Sequence, residues 1–263
     1  LNEVPKYNGK ASVVVHGNQP YFTSREKQNT KSFESYHKLD KLGRCSVAYA
    51  NISIDTMPTE KRGEIGQIRP SGWHTVKYSG VVDGNYLYNR CHLIAYCLTA
   101  ENANKKNLIT GTRYLNNEGM LPYETKTAQY IDKTKNHVLY RVTPVFKGSD
   151  LVASGVLMEA YSVEDQGKGI SFCVYCYNVQ PGVAIDYATG DSHLSGKNNQ
   201  NSHKSSAKEH ASAVYILNTN TKKFHKPDCY SVKQMRSKNR KKYKGLRKKL
   251  IKDGYSPCKN CNP

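Results

Sequence analysis

The chain has 263 residues, enough for one sizeable core and a small additional module. It carries 40 Lys and Arg against 21 Asp and Glu, a net charge of +19. Such a balance disfavours cationic partners and points to polyphosphates or an anionic membrane surface. No apolar run approaches the length of a membrane-crossing helix, so a soluble protein is expected.

The first 60 residues read as an irregular lead-in with short strands. The β-branched run 11–16 (ASVVVH) and the alternating run 46–54 (SVAYANISI) are the strand candidates. Leu1 is not a Met, which fits either a removed signal peptide or a shortened chain. Residues 63–73 hold three glycines and a proline and read as loop, ending at Trp73, the only tryptophan and a packing anchor. Residues 74–89 then suggest a hairpin turning at Asp83-Gly84-Asn85. A strand is expected over 107–114 and a helix over about 119–133, with Pro122 in its first turn. Three further strands are expected over 137–146, 151–161 and 170–179, and a shorter one over 183–187. Together these predict an α+β domain with a mostly antiparallel sheet over residues 1–189.

Residues 190–212 contain almost no large apolar side chain and are read as a flexible linker. A basic module follows over 213–263, opening with a strand (AVYIL) and continuing as a basic helical stretch over 232–252. It holds fifteen Lys and Arg against Asp228 and Asp253, and so carries most of the net charge.

The chemistry concentrates in residues 89–124. His92 has the ordinary pKa of a base near neutral pH. Asn116 offers an amide oxygen of the kind Mg²⁺ accepts alongside its waters. Glu124 lies eight residues further on, a little over two α-helical turns, so the two side chains could share a face. Arg90 stands two residues before His92, on the same side of a strand, and could meet a phosphate with its fork of donors. This is the equipment for cutting a phosphodiester with a single hard cation. Spacing alone favours a catalytic His92 only weakly over an ordinary histidine, since the chain has nine.

Asn89-Arg90-Cys91-His92 resembles the Asp-Arg-Gly-His signature of the DNA/RNA non-specific endonucleases, the ββα-metal or His-Me finger nucleases, and is especially similar to the secreted streptococcal DNases. Asn107, Asn116, Gly119 and Glu124 match the downstream pattern. Segments 178–182, 186–187 and 189–190 are similar to that family's last strands. The resemblance covers roughly residues 10–190. It implies a ββα-metal finger on a central antiparallel sheet, with His92 as general base, Asn116 as the direct Mg²⁺ ligand and Glu124 as acceptor for the cation's water. It further implies a phosphate contact at Arg90, Asn107 and Asn89 as supports of the cofactor site, DNA as substrate with RNA as a second, and a secreted protein. Two positions depart from the pattern. Asn89 replaces an Asp, and Cys91 replaces a Gly, so the backbone there must accept a side chain. The alternative reading is a non-catalytic protein that coats nucleic acid through its basic tail.

In the tail, His225, Cys229, Cys258 and Cys261 have His-x-x-x-Cys and Cys-x-x-Cys spacing, plausible for tetrahedral Zn²⁺. One disulfide with a free thiol, or three free thiols, are the alternatives. The frame resembles the metal-binding domain of the bacterial alkyl-DNA repair methyltransferase, with His225 in place of the cysteine that accepts the methyl group. The resemblance implies a structural Zn²⁺ in a module too small to fold without it. Cys173 and Cys176 should face opposite sides of their strand and not pair.

Overall fold

A computed structural model describes residues 4–195, 213–227, 229–233, 235–258, 261 and 263. The chain divides into two compact units, Leu1–Gly196 and Lys197–Pro263.

The first unit is α+β. Its centre is a six-stranded antiparallel sheet of β1 (Ser12–Val14), β2 (Phe33–Tyr36), β3 (Ala48–Ile52), β6 (Val138–Val145), β7 (Gly155–Ser162) and β8 (Ser171–Tyr177). The spatial order is β1-β8-β7-β6-β3-β2. Alternation in these strands separates two faces. One face presents Ala50, Ile52, Tyr140, Val142, Met158, Phe172, Val174 and Cys176 to the main core. The other presents Cys173, Tyr175 and Tyr177 to a smaller cluster, so Cys173 and Cys176 do face opposite sides. On that second side Arg141 and the buried Glu159 pair across β6 and β7 with two bonds of 2.8 and 2.9 Å.

A ββα unit covers the main-core face. It consists of β4 (Tyr88–His92) and β5 (Leu108–Thr112), antiparallel with His92 opposite Leu108, then a π-helical turn at Leu115–Met120 and the helix α2 (Leu121–Thr134). The short helix α1 (Tyr96–Thr99) lies between β4 and β5. Cys91, Leu93, Ile94, Leu98, Ile109, Leu115, Met120 and Ile131 of this unit bury themselves in the main core. Burial of that apolar surface, at about 25 cal/mol per Å², holds the ββα unit on the sheet. Pro122 sits in the first turn of α2, where a missing N–H costs nothing.

Three expectations are corrected. Residues 74–89 do not form a hairpin ladder; a single bridge joins Lys77 to Tyr86 before β4 begins. The spacing from Asn116 to Glu124 is not uniformly α-helical, because the Leu121 N–H reaches back five residues to the Asn116 carbonyl. The linker does not open at Gly190. Ser192–Leu194 form β10, paired with β9 (Val183–Ile185), and hydrogen bonds of 2.8 Å run from Tyr88 to the Gly190 carbonyl and between Tyr78 and Ser192. The rest of the expected linker, 196–212, lies outside the described residues.

The second unit is a four-stranded sheet in the order β13-β11-β12-β14, with β11 (Ala213–Asn218), β12 (Lys223–His225), β13 (Arg240–Gly245) and β14 (Ser256–Pro257). One face packs Tyr215, Leu217 and Phe224 against Leu250 of α4 (Arg247–Lys252). The other packs Ile216 with Cys229, Val232 and Met235 around α3 (Tyr230–Lys233). The continuous helix expected over 232–252 is therefore wrong in its middle. Arg240–Gly245 pairs with all six residues of β11, and Tyr243 reaches the core. Lysines are poor strand formers, but on an edge strand they stay in water and block further pairing.

Candidate active site and a candidate metal centre

The end of β4 delivers His92 to the edge of the core, where it is only 6% exposed. The chain leaving it is fixed by Asn107. The Leu93 N–H donates to the Asn107 carbonyl, and the Asn107 amide makes two 2.9 Å bonds with the backbone N–H and C=O of Ile94. Both amide atoms are thereby committed. In this way Asn107 orients the backbone beside His92.

His92 Nε2 lies 2.8 Å from the Asn102 carbonyl oxygen, which can only accept, so Nε2 carries the ring proton. Nδ1 is left with a lone pair. Arg62 Nη2 stands 3.3 Å from it. Burial, reinforced by the Arg62 charge, pushes the His92 pKa down to about 4 against the pull of the Asn102 carbonyl. The imidazole is therefore neutral at physiological pH, with its basic nitrogen facing a guanidinium.

Asn116 projects from the π-helical turn. Its Oδ1 accepts from Cys91 Sγ at 3.1 Å, and its Nδ2 donates to Asn117 Oδ1 at 3.1 Å. Glu124, in the first turn of α2, is buried and carries no hydrogen bond among the described residues. Burial pushes its pKa up to about 8, opposed by the charge of Arg62. Its own charge bears on Cys91, Cys97, Tyr140 and Cys176. Cys91 thus touches Asn116 and lies within electrostatic range of Glu124, and Arg62 touches His92 and lies within electrostatic range of Glu124. The structure brings the three expected residues of the site around one pair of neighbours.

Arg90 and Asn89 stand differently. The Arg90 guanidinium donates to the Ile68 and Gly66 carbonyls and lies 4.1 Å over the Trp73 ring. It clamps the loop that carries Arg62 and does not present an open fork to a phosphate. Asn89 Nδ2 is buried without a hydrogen-bond partner. Arg62 is not foreseen from the sequence. It lies thirty residues before His92 in a glycine-containing loop, and no periodicity or motif marks it.

In the second unit, ligand atoms of His225, Cys229, Cys258 and Cys261 all lie within 4.8 Å of one another. Both ring nitrogens of His225 are buried without a partner. The Cys261 thiol is pushed up by burial and by the neighbouring thiols. A cation reverses that cost by taking thiolates as ligands, so this soft donor set fits Zn²⁺. Asn116 and Glu124 instead each offer oxygen donors, the kind that suits Mg²⁺.

A family model for "DNA/RNA non-specific endonuclease" matches residues 23–164. The fold is similar to that of NucA from Streptococcus agalactiae with magnesium bound, at 26% identity and a TM-score of 0.61, covering 69% of this chain and 86% of that one. The metal-free NucA structure gives 26% identity and a TM-score of 0.63, over 74% and 92% of the two chains. The Sda1 nuclease with bound zinc ion gives 25% identity and a TM-score of 0.59, over 71% and 97%. These matches and the arrangement of β4, β5 and α2 agree: the chain belongs to the DNA/RNA non-specific endonuclease family and has its ββα-metal fold.

Proposed function

We propose that this protein is a Mg²⁺-dependent, sequence-nonspecific endonuclease that hydrolyses DNA, with RNA as a second substrate. The observation that carries this reading is His92, buried and neutral, with its proton on Nε2 and the lone pair of Nδ1 turned toward Arg62. In this role Nδ1 takes a proton from the attacking water. Arg62 lies where an anionic phosphate oxygen beside the base would be received, and its guanidinium can move from Nδ1 to that oxygen. Asn116 and Glu124 would hold Mg²⁺, the amide directly and the carboxylate through water. When bound there, Mg²⁺ supplies stabilisation of the charge that builds on the phosphate and the leaving oxygen. Asn107 and the Asn102 carbonyl hold the imidazole in one tautomer and orientation. The family's secreted members support an exported protein.

In the tail, His225, Cys229, Cys258 and Cys261 would hold a structural Zn²⁺, and the basic surface of that module would grip nucleic acid without reading sequence. The test is plasmid cleavage with and without chelator, for wild type and His92→Ala. The reading expects chelator-sensitive cleavage that drops by about 10²- to 10⁴-fold in His92→Ala while DNA binding persists. A folded His92→Ala protein that cuts at the wild-type rate would defeat it. So would a wild-type protein that binds plasmid but never cuts it with Mg²⁺ present, which would favour the non-catalytic coat.

A further inference from the structure

Cys91 stands where the family signature has a glycine, and its side chain is fully buried. Space has been made for it. Cys91 pairs with Ile109 of the facing strand, and a Cβ on Gly111, the diagonal neighbour two residues further along, would come within 2.5 Å of Cys91 Cβ, so that neighbour must itself lack a side chain. The thiol that fills this space is directed at the site. Its Sγ is 3.1 Å from Asn116 Oδ1, with Met120 Sδ at 3.5 Å behind it.

We propose that Cys91 is a positioning residue for the cation site: its S–H donates to Asn116 Oδ1 and fixes which end of that amide faces the ligand. The inference rests on Asn116 being the cation ligand, as proposed above. An amide can rotate by half a turn with little change of shape, and only its hydrogen bonds distinguish oxygen from nitrogen. Here the two ends meet different partners. Asn117 Oδ1 accepts from Nδ2, and Cys91 donates to Oδ1. An amide oxygen can only accept, so in this contact the buried thiol is the donor. A carbonyl oxygen has two lone pairs, and the thiol uses one of them. The second remains for a cation, with the oxygen already turned to it. With glycine at this position the amide would need another donor to be held in that sense.

The test is Mn²⁺ binding to the full-length chain, followed by electron paramagnetic resonance, with Asn116→Ala defining the signal that belongs to this site. Cys91→Ser keeps a donor and should bind Mn²⁺ within about twofold of wild type. Cys91→Ala removes the donor and should bind about tenfold more weakly, the lower end of the usual effect of losing an outer partner of a metal ligand. Trp73 fluorescence checks that each variant is folded. Wild-type affinity in a folded Cys91→Ala, or equal weakening in Cys91→Ser and Cys91→Ala, would overturn the inference and leave Cys91 a packing residue. Should the alanine variant not fold, the Raman S–H band of Cys91, assigned by difference against Cys91→Ser, decides. It should rise in Asn116→Ala as the hydrogen bond is lost, and an unmoved band refutes the bond. Undiminished Mn²⁺ binding in Asn116→Ala would remove the cation reading itself, and this inference with it, whereas loss in Asn116→Ala without loss in Cys91→Ala sinks only the role given to Cys91.

Discussion

Replacing Glu124 by Gln should flatten the dependence of stability on pH. Glu124 is buried, and its pKa in the folded chain is pushed from an ordinary 4.5 up to about 8. Between those values the unfolded chain has lost the proton and the folded chain has kept it. Stability due to this group is therefore fully present below pH 4.5 and is lost as pH rises toward 8. His92 works in the opposite sense. Its folded pKa is about 4 against an ordinary 6.5, so stability is lost as pH falls below 6.5. The two slopes oppose each other from 4.5 to 6.5. Above 6.5 His92 is neutral in both states, and Glu124 acts alone. Just above pH 6.5 about one proton separates the states, worth ~1.4 kcal/mol per pH unit, and the difference falls to about half a proton at pH 8, so the wild type should lose ~1.6 kcal/mol relative to Glu124→Gln. Denaturant titrations at pH 6.5, 7.25 and 8 in chelator would measure it. Trp73 is the only tryptophan, so its fluorescence reports the nuclease unit. Parallel curves for the two proteins across that window would mean that Glu124 is ionised in the folded chain and that the buried, neutral carboxyl described above is wrong.

The His92 ring should titrate near pH 4, followed by nuclear magnetic resonance of its carbon-bound protons; a midpoint above 6 would contradict the enclosure by Arg62 and the Asn102 carbonyl. Because the imidazole is neutral above that point, loss of cleavage on acidification should not follow an ordinary histidine titration. Arg62→Ala should raise the His92 midpoint and lower cleavage by about tenfold or more, and an unchanged midpoint would show that the guanidinium does not sit on Nδ1. Cys258→Ser should abolish Zn²⁺ binding by the full chain and unfold the second unit, seen as lost strand signal in circular dichroism; a folded, metal-free module would refute the assigned site. Removing residues 197–263 should leave an active nuclease unit whose DNA binding depends less steeply on salt, by about 0.9 in slope for each phosphate that the module neutralises. An unchanged salt slope would mean that the basic module serves another surface.

Much of this arrangement can be read from residue identity because the chemistry proposed for it needs particular atoms at particular spacings. His92, Asn107, Asn116 and Glu124 are such residues, and the strands β4 and β5 that bear them alternate or run apolar in the usual way. Arg62 is different. It reaches His92 only because Arg90, Tyr96 and Asn102 hold a loop with no repeating pattern, through bonds to the carbonyls of Gly66 and Ile68, of Glu60 and of Glu64. A contact made by tertiary placement of irregular backbone leaves no local signal. The carbonyl partners of Arg90 are hidden for the same reason: a strand position fixes the side of a residue, not which carbonyls its guanidinium will meet. β13 is hidden by composition, since Arg240–Gly245 owes its conformation to β11 alongside it and not to the preferences of its own lysines. Residues 192–194 look like linker because they are polar, yet their backbone is satisfied by β9.

The π-helical turn at Leu115–Met120 has one more consequence. It amounts to a single extra residue wound into the start of α2, closed by the bond from Leu121 to Asn116. Each residue of an α-helix advances its side chain by about 100°. Eight residues of uniform α-helix would turn through about 800° and leave Asn116 and Glu124 about 80° apart. The extra residue absorbs most of that excess, so an eight-residue spacing here acts as a seven-residue spacing does over two ordinary turns. An unbroken α-helix would also place Pro122 in its interior, against the carbonyl four residues back, so the wide turn gives the proline its place as well. A chain with one residue fewer here and no wide turn would present the same two positions on one face.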